Sequence, residues 1–403
     1  MSLIKESKSS RPANLGKEKK SPAQFNIREY GMYIALAVIM LTFTILTDGL
    51  FMSSRNISNL LDATGYIAVL AVGMTLVIVI RHIDLSVGFA AGFMGAIAAL
   101  LLTQAGWPVY IVLPVILVLG IVVGMFNGVL VASIGIPSFV ASLAGMLIFR
   151  GALLQVTEKT GTIRIDNAPF NAIGNGFIPE FAEVGGLKLL SLILGLVVIL
   201  FYLSSEFSKR RNKIKYRFEV VSRPLFLVKL AFVSAIIAYL TWILAGYNGF
   251  SWTVVIMLAV VVLYHFLTTK TVLGRQIYAV GSNPEAAHLS GINVKKITYI
   301  VFGSMGLLSA LSGILFTSRL QSATTTAGTL FELDAIAAAY VGGVSAAGGV
   351  GKITGSIIGA IVMASLSSGM NLLGVGISYQ YMIRGAILAA AVIFDVLTRK
   401  KRS

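Results

Sequence analysis

Repeated apolar runs of about 20 residues constrain the fold of this chain more than any other feature of its sequence. A helix needs about 20 residues to cross a ~30 Å hydrocarbon layer, because it rises 1.5 Å per residue. The runs are rich in Ala, Val, Ile, Leu and Gly and are separated by short polar turns, whereas a closed barrel needs shorter alternating segments. We therefore predict an all-α protein, a polytopic transmembrane helical bundle.

Composition agrees with a membrane-embedded chain. Of 403 residues, 57% are hydrophobic and 12% are charged, whereas a soluble domain carries about 25% charged residues. The sequence contains no cysteine, which excludes disulfides and thiolate metal sites.

The apolar runs predict about twelve crossings, roughly 10 to 12, with both termini on the cytoplasmic side. The Gly-rich piece 334–349 is the weakest, since it is short enough to re-enter the membrane instead of crossing it. The region 55–62 is a second candidate for re-entry. The predicted crossings are 30–48, 65–81, 87–104, 108–133, 138–156, 187–204, 226–245, 251–268, 297–317, 334–349, 353–372 and 379–397.

The net charge of +16 is concentrated in a few segments. Lys and Arg cluster before residue 30, between Lys209 and Arg223, between Lys270 and Lys296, and between Arg399 and Arg402. Such clusters mark cytoplasmic segments under the positive-inside rule, and they agree with the parity of the crossings. We therefore expect anionic membrane lipid, not nucleic acid, as the partner of this charge.

These assignments divide the chain into one membrane domain and its flanks. The basic cytoplasmic arm, 1–29, lacks apolar periodicity and is predicted to be disordered. No soluble domain of about 50 residues fits the sequence, so we do not expect a nucleotide-hydrolysing domain within it. The predicted parts are the arm 1–29, a single transmembrane domain 30–397 with an external loop 158–187, a basic cytoplasmic loop 205–225 and a cytoplasmic segment 269–297, and a basic tail 398–403.

The segment 348–354 superficially matches a phosphate-binding loop. That motif requires Gly five positions before the Gly-Lys pair and Ser or Thr directly after it, because the hydroxyl binds Mg²⁺. Here Ala346 and Ile353 occupy those positions. The pattern favours tight helix packing or a helix break.

Glycines at spacings of four indicate close helix packing, since small residues let helix backbones approach in a membrane. Sliding of such helices during transport is the alternative interpretation. The spaced glycines are Gly120, Gly124 and Gly128, then Gly351, Gly355 and Gly359, and Gly88 with Gly92.

Charged groups at membrane depth are costly and need a physical reason. Arg81 and Asp84 are spaced to pair on one helix face, but Asp84 and Ser86 are equally suited to cap a helix that begins near Val87. A direct part for Asp84, Ser86 and Gly88 in a solute pathway remains open beside these structural roles.

A second charged cluster surrounds Glu332 and Asp334. These acids are suited to cap the following helix and to neutralise Arg319, or to form an outer gate or docking surface. Arg384 is predicted to extend its side chain toward the outer membrane interface.

The cytoplasmic segment 269–297 contains signals for a short surface helix. Asn283 is a natural N-cap, Pro284 suits the first helical position, and Gly291 ends the helix. Such a helix either covers the bundle or fits a groove on another protein. It comprises Asn283, Pro284, Glu285, Ala286, Ala287, His288, Leu289, Ser290, Gly291 and Ile292.

Four motifs in this order resemble the permeases of bacterial ABC importers for monosaccharides. One motif alone is weak, whereas four in order are specific. The inserted hydrophobic pair around 189–245 resembles the xylose and multiple-monosaccharide branch, although His82 departs from the more usual Gly. The motifs are residues 82–88 (HIDLSVG), 136–139 (IPSF) with 150–151 (RG), 274–292 (GRQIYAVGSNPEAAHLSGI), and 332–338 (ELDAIAA) followed by 342–343 (GG).

The resemblance implies a multi-pass permease of the bacterial inner membrane that imports xylose or a related pentose or hexose and is itself no enzyme. It implies a homodimer of this chain, a cytoplasmic ABC ATPase subunit and an extracytoplasmic sugar-binding protein. ATP and Mg would be bound by the ATPase, so no cofactor is expected in this chain. Residues 283–292 would form the coupling helix that contacts the ATPase.

Two other function classes are alternatives to an ABC permease. An ion-coupled secondary transporter of a small polar solute would use titratable groups near the membrane midplane, for which Asp84 and Asp334 are the candidates. A membrane-embedded enzyme or a metal site would need ligands at suitable spacing, but His82, His265 and His288 are widely separated. We therefore predict no catalytic residues and no metal.

Overall fold

The computed structural model describes residues 27–158, 161–218, 220 and 222–400. Most of the predicted arm 1–29 and the last three residues of the predicted tail 398–403 lie outside this part. Within it, regular structure consists almost wholly of fifteen α-helices. They are α1 (Ile27–Leu46), α2 (Ser54–Val79), α3 (Val87–Thr103), α4 (Val109–Val129), α5 (Ser138–Thr157), α6 (Ala168–Asn175), α7 (Leu189–Lys215), α8 (Arg223–Ala245), α9 (Trp252–Lys270), α10 (Val272–Ser282), α11 (Pro284–Leu289), α12 (Val294–Leu320), α13 (Phe331–Val341), α14 (Ile353–Leu372) and α15 (Ile377–Lys400).

Nine helices in the described residues are long and apolar enough to cross a membrane. Residues 31–46 of α1 and the whole of α3 are shorter apolar helices. The chain is therefore a polytopic α-helical membrane protein, as its sequence predicts.

Two predicted crossings have different bounds in the structure. α2 begins at Ser54, well before the predicted crossing 65–81, and its helix includes the region 55–62 that was a candidate for re-entry. Polar residues in its first turns obscured the start, yet Asn56 accepts from the Ser368 hydroxyl at 2.9 Å and Asp62 accepts from Ser251. At 334–349 the structure has α13, whose 11 residues span about 16 Å and are too short to cross as a helix.

The core of the bundle is formed around α12, which packs against α2, α3 and α4. In an 18-residue apolar stretch of each helix, 89% of the residues of α2 and 72% of those of α12 are buried. Burial on nearly every side explains why these two helices carry Ser, Thr and Gly among their apolar residues, because their neighbours are protein backbone and not lipid.

Glycine contacts bring the core helices together, which supports the packing interpretation of the glycine spacing. A Cβ at Gly124 would lie 2.9 Å from the Cα of Gly306 and would also meet the carbonyl oxygen of Phe302. A Cβ at Gly359 would meet the carbonyl of Ala338, on α13. These positions have no room for a side chain, so α4 and α14 contact their neighbours backbone to backbone.

The chain between α2 and α3 is irregular. Arg81 has a positive φ of 66°, which ends α2, and residues 82–86 precede the first turn of α3. That first turn meets the loop before α13, since a Cβ at Gly88 would contact the carbonyl oxygen of Gly328. The N-terminal ends of α3 and α13 therefore meet inside the bundle.

Short strands organise the predicted external loop 158–187. β1 (Thr162–Arg164) pairs antiparallel with β4 (Ser322–Thr324), with Ile163 opposite Ala323. β2 (Glu183–Val184) pairs antiparallel with β3 (Leu187–Lys188). The amide of Asn175, at the end of α6, donates to the carbonyl of Ser318 at 2.9 Å. The loop therefore covers the end of α12.

α7 and α8 form a hairpin at the edge of the bundle. They pack on each other, and α8 touches α2. Within the 18-residue apolar stretch of each helix, only 11% of α7 and 22% of α8 is buried, so the rest of this chain leaves most of the surface of both helices uncovered. α7 continues to Lys215, so most of the basic segment 205–225 is helical before the connection to α8.

We expect Gly124→Ala to destabilise the protein by about 1 to 3 kcal/mol, because the added methyl group forces α4 and α12 apart. The measurement is the melting temperature in detergent. Gly151→Ala is the matched control, because nothing lies within 4 Å of a Cβ at Gly151. Equal melting temperatures for the two variants would contradict the close α4–α12 contact.

Candidate functional site

The predicted surface helix lies where its sequence signals place it, as α11 between α10 and α12. Asn283 caps it by accepting a hydrogen bond from the backbone N–H of Ala286 at 3.0 Å. Gly291 follows with a φ of +83°, a conformation that glycine adopts without strain. The local chemistry of this segment therefore determines its local structure.

α11 presents an open surface. Ala287 is buried against the bundle, whereas Glu285 and His288 are exposed and the Leu289 side chain is 87% exposed. A single exposed leucine is common on protein surfaces and does not by itself define a binding surface. A groove of about 920 Å³ adjoins it, lined by Pro284, Glu285, His288, Leu289, Gly291, Ile292, Asn293, Val294 and Lys295.

α10 connects this surface to the end of α2. The Nε of Arg81 donates to the carbonyl of Gly281 at 2.6 Å, and a terminal guanidinium nitrogen donates to the carbonyl of Ser282. The predicted alternative in which Arg81 pairs with Asp84 is wrong, because the left-handed turn at Arg81 directs its side chain toward α10.

The loop between α13 and α14 joins the same junction. The backbone N–H of Gly349 donates to the carbonyl of Val79 at 2.8 Å. The hydroxyl of Tyr278, on α10, donates to the carbonyl of Gly351 at 2.7 Å. Burial raises the pKa of the Tyr278 hydroxyl, which keeps this donor protonated. α10, α2 and the 342–352 loop are thus bonded to one another.

The sequence-predicted pathway residues separate into three places. Asp84 is buried before α3, where its carboxylate accepts from the backbone N–H of Ser86 at 2.9 Å and from its hydroxyl at 2.6 Å. The amide of Asn127, on α4, donates to the Ser86 hydroxyl at 2.8 Å. Ser86 is the residue before α3, but its side chain makes no capping hydrogen bond to the helix. These contacts hold the turn that precedes α3, and they do not form the side-chain cap that the sequence suggested.

Gly88 and Glu332 lie against each other where α3 meets α13. A Cβ at Gly88 would contact the Glu332 carboxylate. Glu332 is buried, and its Oε2 has no hydrogen-bond partner among the described residues. Asp334 lies two residues further along α13, which turns its side chain to another face of the helix.

Asp334 lies in a cavity of about 500 Å³ at the end of the bundle that carries β4. Its carboxylate is 3.1 Å from the Arg384 guanidinium, which also donates to the Ser367 hydroxyl at 2.8 Å. The cavity is lined by Asn56, Asn59, Leu60, Ala63, Tyr66, Ile67, Arg319, Thr329, Phe331, Asp334, Ala360, Met363, Ala364, Ser367, Ser368, Asn371, Leu372 and Arg384.

The ion pairs here differ from the predicted ones. Arg384 turns inward to Asp334, so the prediction that it extends to the outer interface was wrong. Arg319 lies 3.6 Å from Asp62, on α2, so the prediction that Glu332 or Asp334 neutralises it was also wrong. Pairing within the protein is favoured because lone charges are costly in lipid.

Sequence analysis missed the polar residues of α2 and α14 that line the cavity. Their spacing carries a signal: Asn56, Asn59 and Tyr66 are separated by three and seven residues, which places them on one helix face. On α14, Ser367 and Asn371 are four residues apart. The signal shows that each helix has a polar face but not that the two faces meet.

Two aromatic side chains, Tyr66 and Phe331, line the cavity, and Phe316 packs against both rings. The Tyr66 ring centroid lies 5.0 Å from that of Phe331 and 5.2 Å from that of Phe316. Apolar faces combined with a few convergent polar groups are typical of small-molecule sites. No metal-binding cluster of His, Cys, Asp or Glu occurs among the described residues.

The sequence matches a family described as branched-chain amino acid transport system / permease component over residues 56–392. The chain belongs to this permease family. It is 39% identical to the xylose transport system permease protein XylH of Escherichia coli (strain K12), with 93% of each chain covered. It is 34% identical to the ribose import permease protein RbsC of Haemophilus influenzae, covering 91% of this chain and 93% of the relative. No solved structure matches the chain.

Family membership confirms the predicted resemblance to ABC sugar permeases of the xylose and ribose branch. The permease is a transport component and not an enzyme, and it is a multi-pass protein of the inner membrane. Membership in this family also implies an ATPase and a binding protein as partners.

We expect Arg384→Gln to destabilise the permease by about 2 kcal/mol, because Asp334 then loses its partner in a partly buried site. The double variant Arg384→Gln/Asp334→Asn is expected to recover part of that loss. The measurement is a double-mutant cycle on melting temperature in detergent.

The exposed pair Arg164 and Asp166 is the control for this cycle. Their side chains are 81% and 76% exposed, so Arg164→Gln/Asp166→Asn is expected to change stability by less than about 1 kcal/mol. Additive effects at Arg384 and Asp334 would contradict a direct interaction between them.

Proposed function

We propose that this chain is the membrane-spanning permease subunit of an ATP-driven importer for xylose or a related pentose or hexose, delivered by an extracytoplasmic binding protein. The 39% identity to XylH across 93% of both chains is the observation that carries the proposal. The cavity beside Asp334 supports it chemically.

The charges of this cavity suit a neutral solute. Asp334 pairs with Arg384 and Asp62 pairs with Arg319, so an entering solute meets paired charges together with amides and hydroxyls. A sugar ring can exchange hydrogen bonds with Asn59 through its hydroxyls while its C–H face packs on an aromatic ring. A charged solute would need a counter-charge that these pairs already satisfy.

We propose twelve crossings with both termini on the cytoplasmic side. The nine long helices of the described residues count together with α1, α3 and α13. The two short helices α3 and α13 would cross with the help of their irregular flanks. Two contacts support the alternating direction of the crossings. Tyr66 of α2 meets Phe316 of α12, and further along α2 a Cβ at Gly73 would meet the side chain of Met305 of α12. α2 and α12 therefore run antiparallel.

We propose that two copies of this chain assemble with the ATPase, and that ATP and Mg bind to the ATPase alone. Residues 283–292 would contact the ATPase surface. Movement of α11 would pass to α10, and from there through Arg81 to α2 and through Tyr278 and Gly351 to the loop that follows α13. The same loop is also bonded to the end of α2, through Gly349 and Val79. Because α2 and α13 both line the cavity, this route joins ATP hydrolysis to solute access.

Pathway roles for Asp84, Ser86, Gly88, Glu332 and Asp334 remain part of the proposal. Asp334 would contact solute directly, since it lines the cavity. Gly88 and Glu332 lie where α3 meets α13, and Asp84 and Ser86 lie in the turn before α3. There these four residues would hold the ends of the two helices together.

The test begins with purification of the complex from its native host in mild detergent. The permease, its ATPase and its binding protein are then reconstituted into liposomes, and uptake of labelled xylose is measured. Uptake that requires ATP and the binding protein and persists after collapse of ion gradients supports the proposal. Uptake that is driven by an ion gradient without ATP would overturn it in favour of a secondary transporter.

We expect Leu289→Ser to abolish stimulation of the ATPase by the permease, because it removes the exposed apolar contact of α11. Melting temperature should change little, since Leu289 is 87% exposed. Phe218→Ser, at an exposed aromatic residue near the α7–α8 connection, is the control and should keep normal ATPase activity. Normal stimulation in the Leu289→Ser permease would remove α11 from the coupling route.

We expect Asn59→Leu to reduce sugar uptake at least about tenfold without loss of stability, because it places an apolar group on the cavity wall. Gln104→Leu, at an exposed position after α3, should transport normally. Uptake in the reconstituted system at saturating binding protein measures the effect. Equal uptake by both variants would argue that solute does not use this cavity.

A further inference from the structure

The cytoplasmic ends of α7 and α8 enclose a groove of about 350 Å³ that no step of the proposed transport cycle uses. Its lining mixes cationic and apolar side chains from both helices. The residues are Phe207, Arg210, Arg211 and Ile214 from α7, and Arg223, Phe226 and Leu227 from α8. We propose that this groove binds the headgroup of an anionic phospholipid.

Aromatic contacts order one side of the groove. The Phe207 and Phe226 rings pack edge to face with centroids 5.5 Å apart. The guanidinium carbon of Arg210 lies 4.6 Å from the centre of the Phe226 ring. Stacking of this kind orients a guanidinium group.

The positive charge of the segment 206–223 favours an anionic ligand. Residues 206–223 contain seven Lys or Arg and two acids. One of these acids, Glu206, is engaged by lysines: it lies 2.9 Å from the Lys209 ammonium and 2.7 Å from the Lys229 ammonium. Arg211 and Arg223 are exposed at the rim of the groove, where planar guanidinium groups can bind phosphate oxygens in pairs.

The position of the groove indicates a lipid and not a soluble anion. α7 has 27 residues, about 40 Å, so its last turns project beyond a ~30 Å hydrocarbon layer. The groove lies at that boundary, between two apolar helices whose surfaces are mostly left uncovered by the rest of this chain. Phe207 and Leu227 offer an apolar surface for the glycerol and the first acyl carbons, which a soluble phosphate would leave unused. Basic pockets between helices on the cytoplasmic side commonly bind anionic headgroups.

The test is a titration of the purified permease with phosphatidylglycerol in detergent, followed by melting temperature and by the number of lipids retained in native mass spectrometry. Phosphatidylcholine and inorganic phosphate are titrated in parallel. Phosphatidylglycerol should stabilise the wild-type protein at concentrations at which neither of the others does. Stabilisation by inorganic phosphate to the same extent would overturn the lipid as ligand.

The decisive variant is Arg211→Gln/Arg223→Gln, for which we expect the half-saturating concentration of phosphatidylglycerol to rise roughly tenfold. The control is Lys213→Gln/Lys215→Gln, which removes the same charge from the same helix end outside the groove lining and should change it less than about twofold. If both variants weaken phosphatidylglycerol binding equally, general surface charge explains the binding and the proposed site is wrong.

The stability of the double variant and its retention of the ATPase decide two further cases. If the double variant is too unstable to titrate, Arg211→Gln and Arg223→Gln are titrated singly, and each should weaken binding about threefold. If lipid binding is unchanged but the double variant no longer retains the ATPase in detergent, the groove is a protein contact and the lipid proposal is wrong.

Discussion

The backbone contact of α12 with its neighbours is the constraint on which the rest of the fold depends. In a membrane the hydrophobic effect does not draw helices together, so packing must supply the association. Gly120, Gly124 and Gly306 remove side chains where α4 crosses α12, and Gly313 does so where α12 crosses α3. With these helices in contact, α2 completes the burial of α12, and the polar groups of the site receive fixed positions.

The scarcity of water inside this bundle determines which partners its polar groups need. Each charge near the cavity must find a partner in the protein, and the partner need not be near in sequence: Asp334 meets Arg384, and Asp62 meets Arg319. The cavity that results contains charges but offers an entering solute mainly hydrogen-bonding groups and aromatic faces. This chemistry suits the neutral sugar that we propose as the solute, because the three charged residues of the wall, Arg319, Asp334 and Arg384, are paired within the protein.

Local signals in the sequence predicted local structure well, and tertiary partners poorly. Asn283, Pro284 and Gly291 define α11 within a few residues, because capping and turn chemistry act over one helical turn. The partners of Arg319 and Arg384 were mispredicted, since they depend on which helix faces meet. The start of α2 was missed because Asn56 and Asp62 look like loop residues until their partners on α14 and before α9 are known.

Hydrogen bonds around α10 connect it to two other parts of the bundle: to α2 through Arg81 and to the 342–352 loop through Tyr278. In the transport cycle that we propose, a displacement of α11 would reach α2 and α13 together through these bonds. The α7–α8 hairpin packs mainly on itself and touches the core through α2. In the proposed cycle its helices would therefore stay in place while the core moves. A lipid bound between them would anchor the hairpin without resisting transport, which is consistent with a hairpin added beside an otherwise complete permease core.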